Sequence, residues 1–160
     1  MTATSCPRVL IQMNRLAAYR VPIFNRLAER YDIDYACAGL LSAGAAPKNF
    51  RMLPATVRRI GPFLWYRWEG PQADSYDAII TGLDLRNLNA LGFVLKHPER
   101  TIPYSLGFGK SLLSSIARRA IYNRCAAGLV YTQATAQQLI KSGVDGRKLF
   151  FTGNTVEAGG

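Results

Sequence analysis

The chain has few of the residues from which metal and disulfide sites are built. Its 160 residues include three cysteines and one histidine. Cys6, Cys37 and Cys125 are odd in number and far apart, without a C-x-x-C pair, which argues against a disulfide framework and against a zinc site. We therefore expect no metal site, and we predict that Cys37 and Cys125 are small core residues.

Long hydrophobic runs are also missing. One uncharged and mostly apolar stretch, residues 35–47, is rich in Gly, Ala and Ser. It is shorter than the ~20 residues that a membrane-spanning helix needs. Residues 1–7 do not show the basic and then apolar segments of a secretory signal. We therefore expect a cytoplasmic protein, with peripheral contact at the inner membrane face as an option.

Acidic residues are scarce. Ten Asp and Glu stand against twenty Lys and Arg, giving a net charge of +10, and no acid occurs in residues 35–68 or 100–144. Such a surface attracts anions, whether nucleic acid, phosphorylated substrate or anionic lipid, and net charge alone does not choose among them. A surface that is basic only for solubility is an equally open interpretation.

Apolar strands alternate with helices along the chain. Strands are predicted at 8–13, 32–38, 77–81, 101–106, 128–132 and 148–152. Helices are predicted at 21–30, 111–124 and 134–142, the last ended by Gly143, and in a segment that Asp84 would cap. That segment would place Leu85, Leu88, Leu91 and Leu95 on its inner face. In the 111–124 helix the apolar stripe would comprise Leu112, Leu113, Ile116, Ala117, Ala120 and Ile121.

This alternation predicts a doubly wound α/β fold, with a mostly parallel sheet and helices on both faces. Ligands of such folds bind at the carboxyl ends of the strands. Neither phosphate-binding fingerprint is found there: no strand leads into G-x-G-x-x-G, and Tyr104 stands where a P-loop needs glycine. The turn with Gly107, Gly109 and Lys110 could still bring free N–H groups to an anion, or it could be only a tight turn before a helix.

The candidates for ligand or phosphate binding are the polar, aromatic and glycine residues predicted at this edge. They are Asn14, Arg15, Arg20, Gly82, Asp84, Gly107, Phe108, Gly109, Lys110, Tyr131 and Asn154. Asp84 could contact a hydroxyl of the ligand or could simply cap a helix. No catalytic residue can be named from the sequence.

An aromatic block at residues 61–71 follows a pair of arginines. Such a composition suits a segment at a lipid interface, although the aromatics could instead cover the sheet beneath a connecting helix. The 111–124 helix has a basic outer face that suits membrane contact or plain solvation. The candidates for membrane contact are Arg58, Arg59, Trp65, Trp68, Arg118 and Arg119.

Six segments in this order carry a resemblance to a known family. They are residues 19–28 (YRVPIFNRLA), 76–82 (YDAIITG), 107–109 (GFG), 128–132 (GLVYT), 143–145 (GVD) and 154–157 (NTVE). Together they resemble the N-terminal domain of GT-B glycosyltransferases of the family 4-like kind, the glycosyltransferase group 1 type, over nearly the whole chain. Two departures are Phe108, where members often have histidine, and residues 14–18 (NRLAA), where many members have a glycine-rich turn.

The resemblance implies the Rossmann-like half of a GT-B fold, in which this domain holds the acceptor and a second domain holds the nucleotide-sugar. Residues 1–157 would form the single N-terminal domain and 158–160 the start of a linker, with the C-terminal donor domain absent. The complete enzyme would use a nucleotide-sugar to modify a glycan or lipid-linked acceptor in polysaccharide or glycolipid biosynthesis. This chain alone would bind no cofactor and would be catalytically inactive.

Its partners would be a C-terminal donor-binding domain or a separate donor subunit, an acceptor and an anionic membrane surface. One alternative is a non-catalytic membrane-surface binding subunit of a split glycosyltransferase. A nucleic-acid-binding domain is the other alternative; it ranks last because the chain lacks a helix-turn-helix, zinc or RNA-recognition signature.

Overall fold

The computed structural model describes residues 6–41, 47–105 and 111–153 of the protein. The strands in these residues are β1 (Arg8–Met13), β2 (Leu16–Ala17), β3 (Asp32–Cys37), β4 (Leu40–Leu41), β5 (Arg51–Ile60), β6 (Phe63–Trp68), β7 (Ala78–Gly82), β8 (Thr101–Ser105), β9 (Gly128–Val130) and β10 (Leu149–Phe151). The α-helices are α1 (Val21–Leu27), α2 (Leu88–Lys96), α3 (Leu112–Arg124) and α4 (Gln133–Lys141).

Eight strands form one sheet in the order β10-β9-β8-β7-β1-β3-β5-β6, and β2 pairs with β4 beside it. Neighbouring strands of the large sheet are parallel except β5 and β6, which are antiparallel. From β1 the chain proceeds to β3 and β5, toward one border of the sheet. From β7 it proceeds to β8, β9 and β10, toward the other border. The strand order therefore reverses between β1 and β7, which confirms the predicted doubly wound α/β fold.

Helices cover both faces of the sheet, as predicted, but unequally. The alternating side chains of β1 show this: Ile11 packs in a cluster with Val21 of α1, whereas Leu10 packs with Phe93 of α2. A further cluster on the α2 face contains Ile121 of α3 and Leu139 of α4. Cys37 and Cys125 are buried as predicted.

The start of α2 differs from the prediction. Asp84 does not cap this helix; the cap is Asn87, whose side chain accepts hydrogen bonds from the backbone N–H groups of Asn89 and Ala90. Because the helix begins later, its buried residues are Ala90, Phe93 and Val94, while Leu95 is 67% exposed. The predicted leucine stripe was therefore wrong in part: Leu85 and Leu91 pack against the core, but Leu85 precedes the helix and Leu95 is exposed.

The predicted apolar stripe of α3 is only partly buried. Ser111 caps the helix in a reciprocal pair of hydrogen bonds with Ser114, and Ile121 and Tyr122 are buried near its end. Leu112 and Leu113 in the first turn are 78% and 79% exposed. The helix thus meets the sheet mainly through its C-terminal half.

A hairpin that the sequence did not predict occupies one edge of the sheet. Only residues 51–54 of β5 pair with β3, while residues 55–60 pair only with β6. Since β5 runs parallel to β3, residues 55–68 form a two-stranded ribbon that continues past the carboxyl edge of the sheet. We call these residues the ribbon. Its tip turns at Gly61, whose φ of 57° favours glycine.

Candidate functional site

A buried polar trio lies where the strand order reverses. The side-chain oxygen of Gln12, at the end of β1, accepts hydrogen bonds from the Thr81 hydroxyl (2.7 Å) and the Asn87 amide (2.9 Å). All three residues are at most 1% exposed. These hydrogen bonds tie the start of α2 to the ends of β1 and β7, although Nε2 of Gln12 is buried without a partner among the described residues. We call the space at the carboxyl ends of β1, β7, β8 and β9 the crevice.

The loop after β1 carries two of the predicted residues. Asn14 accepts a 2.6 Å hydrogen bond from the hydroxyl of Tyr66, which belongs to the ribbon. Arg15 is exposed, and its backbone carbonyl accepts a hydrogen bond from Tyr35. The loop is therefore tied to both the ribbon and the core, and the Arg15 side chain points to solvent at the crevice.

Gly82 and Asp84 lie on the other side of the crevice. A Cβ at Gly82 would stand 3.3 Å from the sulfur of Met13, so the two strand ends approach closely here. Asp84 accepts hydrogen bonds from the Arg86 backbone N–H and guanidinium, both at 2.9 Å. These bonds lower the pKa of Asp84 below its usual range, against the effect of partial burial. Asp84 is therefore ionised at neutral pH and suited to accept hydrogen bonds, not to take a proton.

On the α1 face, Arg20 lies in a cage of tyrosines. Its guanidinium carbon is 5.6 Å from the ring centroid of Tyr19, 5.5 Å from that of Tyr104 and 5.7 Å from that of Tyr131. Its Nη2 donates to the Tyr104 hydroxyl at 3.2 Å. These groups line a cavity of 170 Å³ at the carboxyl edge, whose other walls are mainly apolar. The cage joins two predicted residues, Arg20 and Tyr131.

Arg118 belongs to α3. Its guanidinium lies at the carboxyl end of β8, on the face opposite the Arg20 cage. Its Nη1 donates to the Leu83 carbonyl (3.3 Å) and to the Ser105 hydroxyl (3.1 Å). Tyr104 and Ser105 are consecutive, so their side chains point to opposite faces of β8. Predicted for membrane contact, Arg118 instead directs its guanidinium toward the carboxyl ends of β7 and β8.

The other predicted membrane residues divide into two groups. Arg58, Arg59 and Trp65 are exposed on the ribbon, and Arg119 is exposed on α3, where it donates to the Ser142 carbonyl. Trp68 is half-buried and its ring lies 6.4 Å from that of Phe93 in α2. Trp68 therefore contributes to the core beneath α2.

Five predicted residues lie outside the described residues: Gly107, Phe108, Gly109, Lys110 and Asn154. Other residues of the crevice were missed, namely Gln12, Tyr19, Asn87 and Tyr104. A polar residue inside an apolar strand, as at Gln12, is a signal that could have been used. The tyrosines carry no such local signal, because the cage forms only when α1 lies beside the ends of β8 and β9.

Within residues 6–41, 47–105 and 111–153, no group of three His, Cys, Asp or Glu side chains could hold a metal ion. In the same residues, no helix has both the length and the apolar character that crossing a bilayer requires. Among the described residues, the crevice offers a carboxylate, amides, an aromatic cage and three arginines, namely Arg15, Arg20 and Arg118. This set can bind and orient a polar or anionic molecule.

In comparisons with known proteins, no family model and no curated protein sequence matched the chain. The functional argument therefore depends on the fold, on the crevice and on the arrangement of charge.

Proposed function

We propose that the chain is the acceptor-binding domain of a glycosyltransferase that moves a sugar from a nucleotide-sugar to a glycan or lipid-linked acceptor. The observation that carries this proposal is the tyrosine cage around Arg20, which opens at the carboxyl edge of a doubly wound sheet. Small-molecule sites combine apolar and aromatic walls with a few placed polar groups, and they occur at this edge of such folds. The resemblance of residues 19–28 and 128–132 to the acceptor-side domain supports the same assignment.

The donor half of the reaction would belong to another domain or subunit. The sequence has no glycine-rich dinucleotide fingerprint after a strand. In the complete enzyme, an acceptor hydroxyl would attack the anomeric carbon of the sugar, and the nucleoside diphosphate would leave. This chain would orient the acceptor, with Asp84 accepting a hydrogen bond from a hydroxyl and the tyrosines packing against the body of the acceptor.

Glycan binding by the purified chain tests this assignment. Binding would be measured on an array of polysaccharide fragments and polyprenyl-phosphate-linked sugars, with UDP-glucose as the nucleotide-sugar control. We expect binding to a subset of glycans and none to UDP-glucose. Tyr104→Ala should weaken glycan binding about tenfold, since a lost ring contact is worth about 1.4 kcal/mol.

The matched control is Tyr31→Ala, which removes an exposed tyrosine outside the cavity. It should leave glycan binding unchanged. Sugar transfer by the chain alone, or tight binding of UDP-glucose, would contradict the assignment, because the donor site would then lie within these residues.

A second candidate function, contact with an anionic membrane surface, is favoured by the ribbon. Cross-strand pairing places Arg58 opposite Trp65 and Ile60 opposite Phe63 on one face. Both aromatic rings are 39% exposed. With Arg59 and Arg67 the ribbon carries three basic residues and no acid. Aromatic side chains with adjacent arginines suit the headgroup region of a bilayer.

Sedimentation with phosphatidylserine-containing vesicles tests the ribbon. Each arginine near such a surface contributes about 1 kcal/mol, so Arg58→Gln with Arg59→Gln should weaken binding roughly 30-fold. The control pair Arg26→Gln and Arg30→Gln removes the same charge from exposed positions on and just after α1. Equal sedimentation of both double variants and the wild type would refute membrane contact through the ribbon.

A further inference from the structure

We propose that the Arg20 cage binds an oxyanion, a phosphate or a carboxylate, that is attached directly to an apolar body. The proposal deepens the proposed function, on which it rests for the ligand being an acceptor. The site itself is defined by charge, ring geometry and cavity shape, and direct binding tests it without a donor.

The first argument is the charge of Arg20. Five other arginines lie within 3.5 Å of a carboxylate oxygen: Arg8, Arg51, Arg86, Arg100 and Arg147. None of the ion pairs among the described residues includes Arg20, although its side chain is half-buried. A partly desolvated cation whose partners are neutral gains from a bound anion, because the anion restores the interaction that burial removed.

The second argument is the geometry of the cage. Tyr104 and Tyr131 belong to neighbouring strands, and their ring centroids are 6.3 Å apart. The guanidinium lies within 5.7 Å of both rings and of the Tyr19 ring. Ring contacts of this kind fix the plane of an arginine, and a fixed planar fork suits the two oxygens of a phosphate or carboxylate.

The Tyr131 hydroxyl beside the guanidinium remains protonated at neutral pH. Partial burial and the neighbouring Tyr19 hydroxyl raise the pKa of Tyr131 above its usual range. A protonated hydroxyl can accept a hydrogen bond from Arg20 and donate its own proton to an oxyanion. The cage thus offers positive charge and hydroxyl donors together.

The third argument is the wall of the cavity. Apart from Thr152 and Gly153, the wall beyond the cage is apolar and is formed by Ile11, Met13, Ile23, Phe24, Leu27, Ile80 and Leu129. These side chains cannot hydrogen-bond to a ligand. The cavity of 170 Å³ therefore suits an oxyanion whose apolar body packs against these side chains, whereas a fully hydrated inorganic ion would leave them without an apolar partner.

Calorimetric titration of the purified chain with hexyl phosphate tests the site. The wild type should bind it at least tenfold more tightly than inorganic phosphate, and hexanol should not bind. Arg20→Gln should weaken hexyl phosphate at least tenfold. Arg20→Lys should restore only part of the affinity, because an ammonium keeps the charge but lacks the planar fork.

The matched control is Arg26→Gln, which removes an exposed arginine from α1, the helix that begins directly after Arg20. It should bind hexyl phosphate like the wild type. Thermal unfolding of each variant shows whether it is folded. If Arg20→Gln is unfolded, Arg20→Lys is compared with Arg26→Gln instead. The site is supported if Arg20→Lys, which keeps its charge, binds hexyl phosphate more weakly than Arg26→Gln, which loses a charge.

Two sources of the anion are distinguished by a second titration, with glucuronate and with glucose. Hexyl phosphate should bind more tightly than glucuronate, as the phosphate of a lipid carrier would. Tighter binding of glucuronate, whose ring carries hydroxyl groups, would identify an acidic sugar and would contradict the apolar body of the ligand. The proposal is overturned if none of these anions binds, or if Arg20→Gln and Arg26→Gln weaken binding equally. Anion binding without glycan binding would leave this site standing and would refute the proposed function.

Discussion

Replacing Asp34 with alanine should destabilise the fold more than any other single change of a charged residue on β3. The Asp34 side chain is 1% exposed. Its two carboxylate oxygens accept 2.6 Å hydrogen bonds from Nε and Nη2 of Arg51, and one of them also accepts a 2.6 Å bond from the Tyr76 hydroxyl. A second guanidinium, that of Arg8, lies 3.6 Å away. Asp34→Ala removes all of these contacts at once.

The cost can be built from these contacts. Asp34→Ala would leave the Tyr76 hydroxyl buried without its acceptor, at about 1–3 kcal/mol. It would also remove two charged hydrogen bonds, whose worth is reduced because the Arg51 side chain is 56% exposed and can return to water. We expect a total near the 3–5 kcal/mol typical of a broken buried pair. For a domain of this size, that is a fall in Tm of roughly 6–20 °C.

Two variants separate the contributions. Tyr76→Phe removes only one hydrogen bond to a carboxylate that keeps both arginines, so it should cost about 1–2 kcal/mol. Asp34→Asn keeps an acceptor for Tyr76 but removes the charge, so it should fall between the other two. Urea unfolding followed by circular dichroism measures all three.

The pH dependence gives an independent check. Burial alone would raise the pKa of Asp34, but the hydrogen bonds from Arg51 and Tyr76 and the nearby charges lower it below its ordinary value of 3.8. A folded pKa below the unfolded one means that the stabilisation is complete above about pH 4–5 and is lost as pH falls through the folded pKa. The difference between wild type and Asp34→Asn should therefore be constant at neutral pH and shrink below about pH 4. Surface substitutions usually change the free energy of unfolding by less than about 0.5 kcal/mol. If Asp34→Ala changes it by no more than this, the reasoning is refuted.

Two substitutions and one labelling experiment test the packing further. Gly128→Ala would place a Cβ 2.3 Å from a ring carbon of buried Tyr122, and we expect a loss of about 1–3 kcal/mol by thermal unfolding. Asn87→Ala removes the cap of α2 together with a partner of the buried trio, and it should cost about 1–2 kcal/mol in urea unfolding. Burial raises the pKa of Cys125 to about 11, so a thiol reagent at pH 8, on the order of the free-thiol pKa, should label exposed Cys6 quickly and Cys125 only on unfolding.

The sequence predicted most of the sheet because a buried parallel strand is a continuous apolar run, as at β1 and β7. It did not predict β5 and β6. Arg58 and Arg59 interrupt the alternation, and Pro54 is expected in a strand only near an edge. The hairpin becomes evident only when both strands pair across Gly61. The aromatic block at residues 61–71 contains β6, and the two faces of this strand have different environments.

The location of the crevice could be predicted from the sequence, but its side chains could be predicted only in part. The rule for strand ends located Asn14, Gly82 and Tyr131 correctly at the carboxyl edge. The suggestion that Asp84 caps α2 was wrong, because its carboxylate pairs with Arg86 and the helix begins after Asn87. Such competition between neighbouring acceptors depends on backbone geometry that the order of residues does not reveal.

The hairpin gives the two borders of the sheet opposite character. The outer border of β6 is already occupied, since the Leu64 N–H donates to the Arg86 carbonyl and the Tyr66 N–H donates to the Asn89 side chain. At the other border, no described strand lies beyond β10, and Phe150 and Phe151 there are 55% and 59% exposed. Among the described strands, the β10 border is thus the one open to pairing with a strand from another molecule. The net charge of +10 opposes such self-association at low ionic strength, so concentrated salt should favour it.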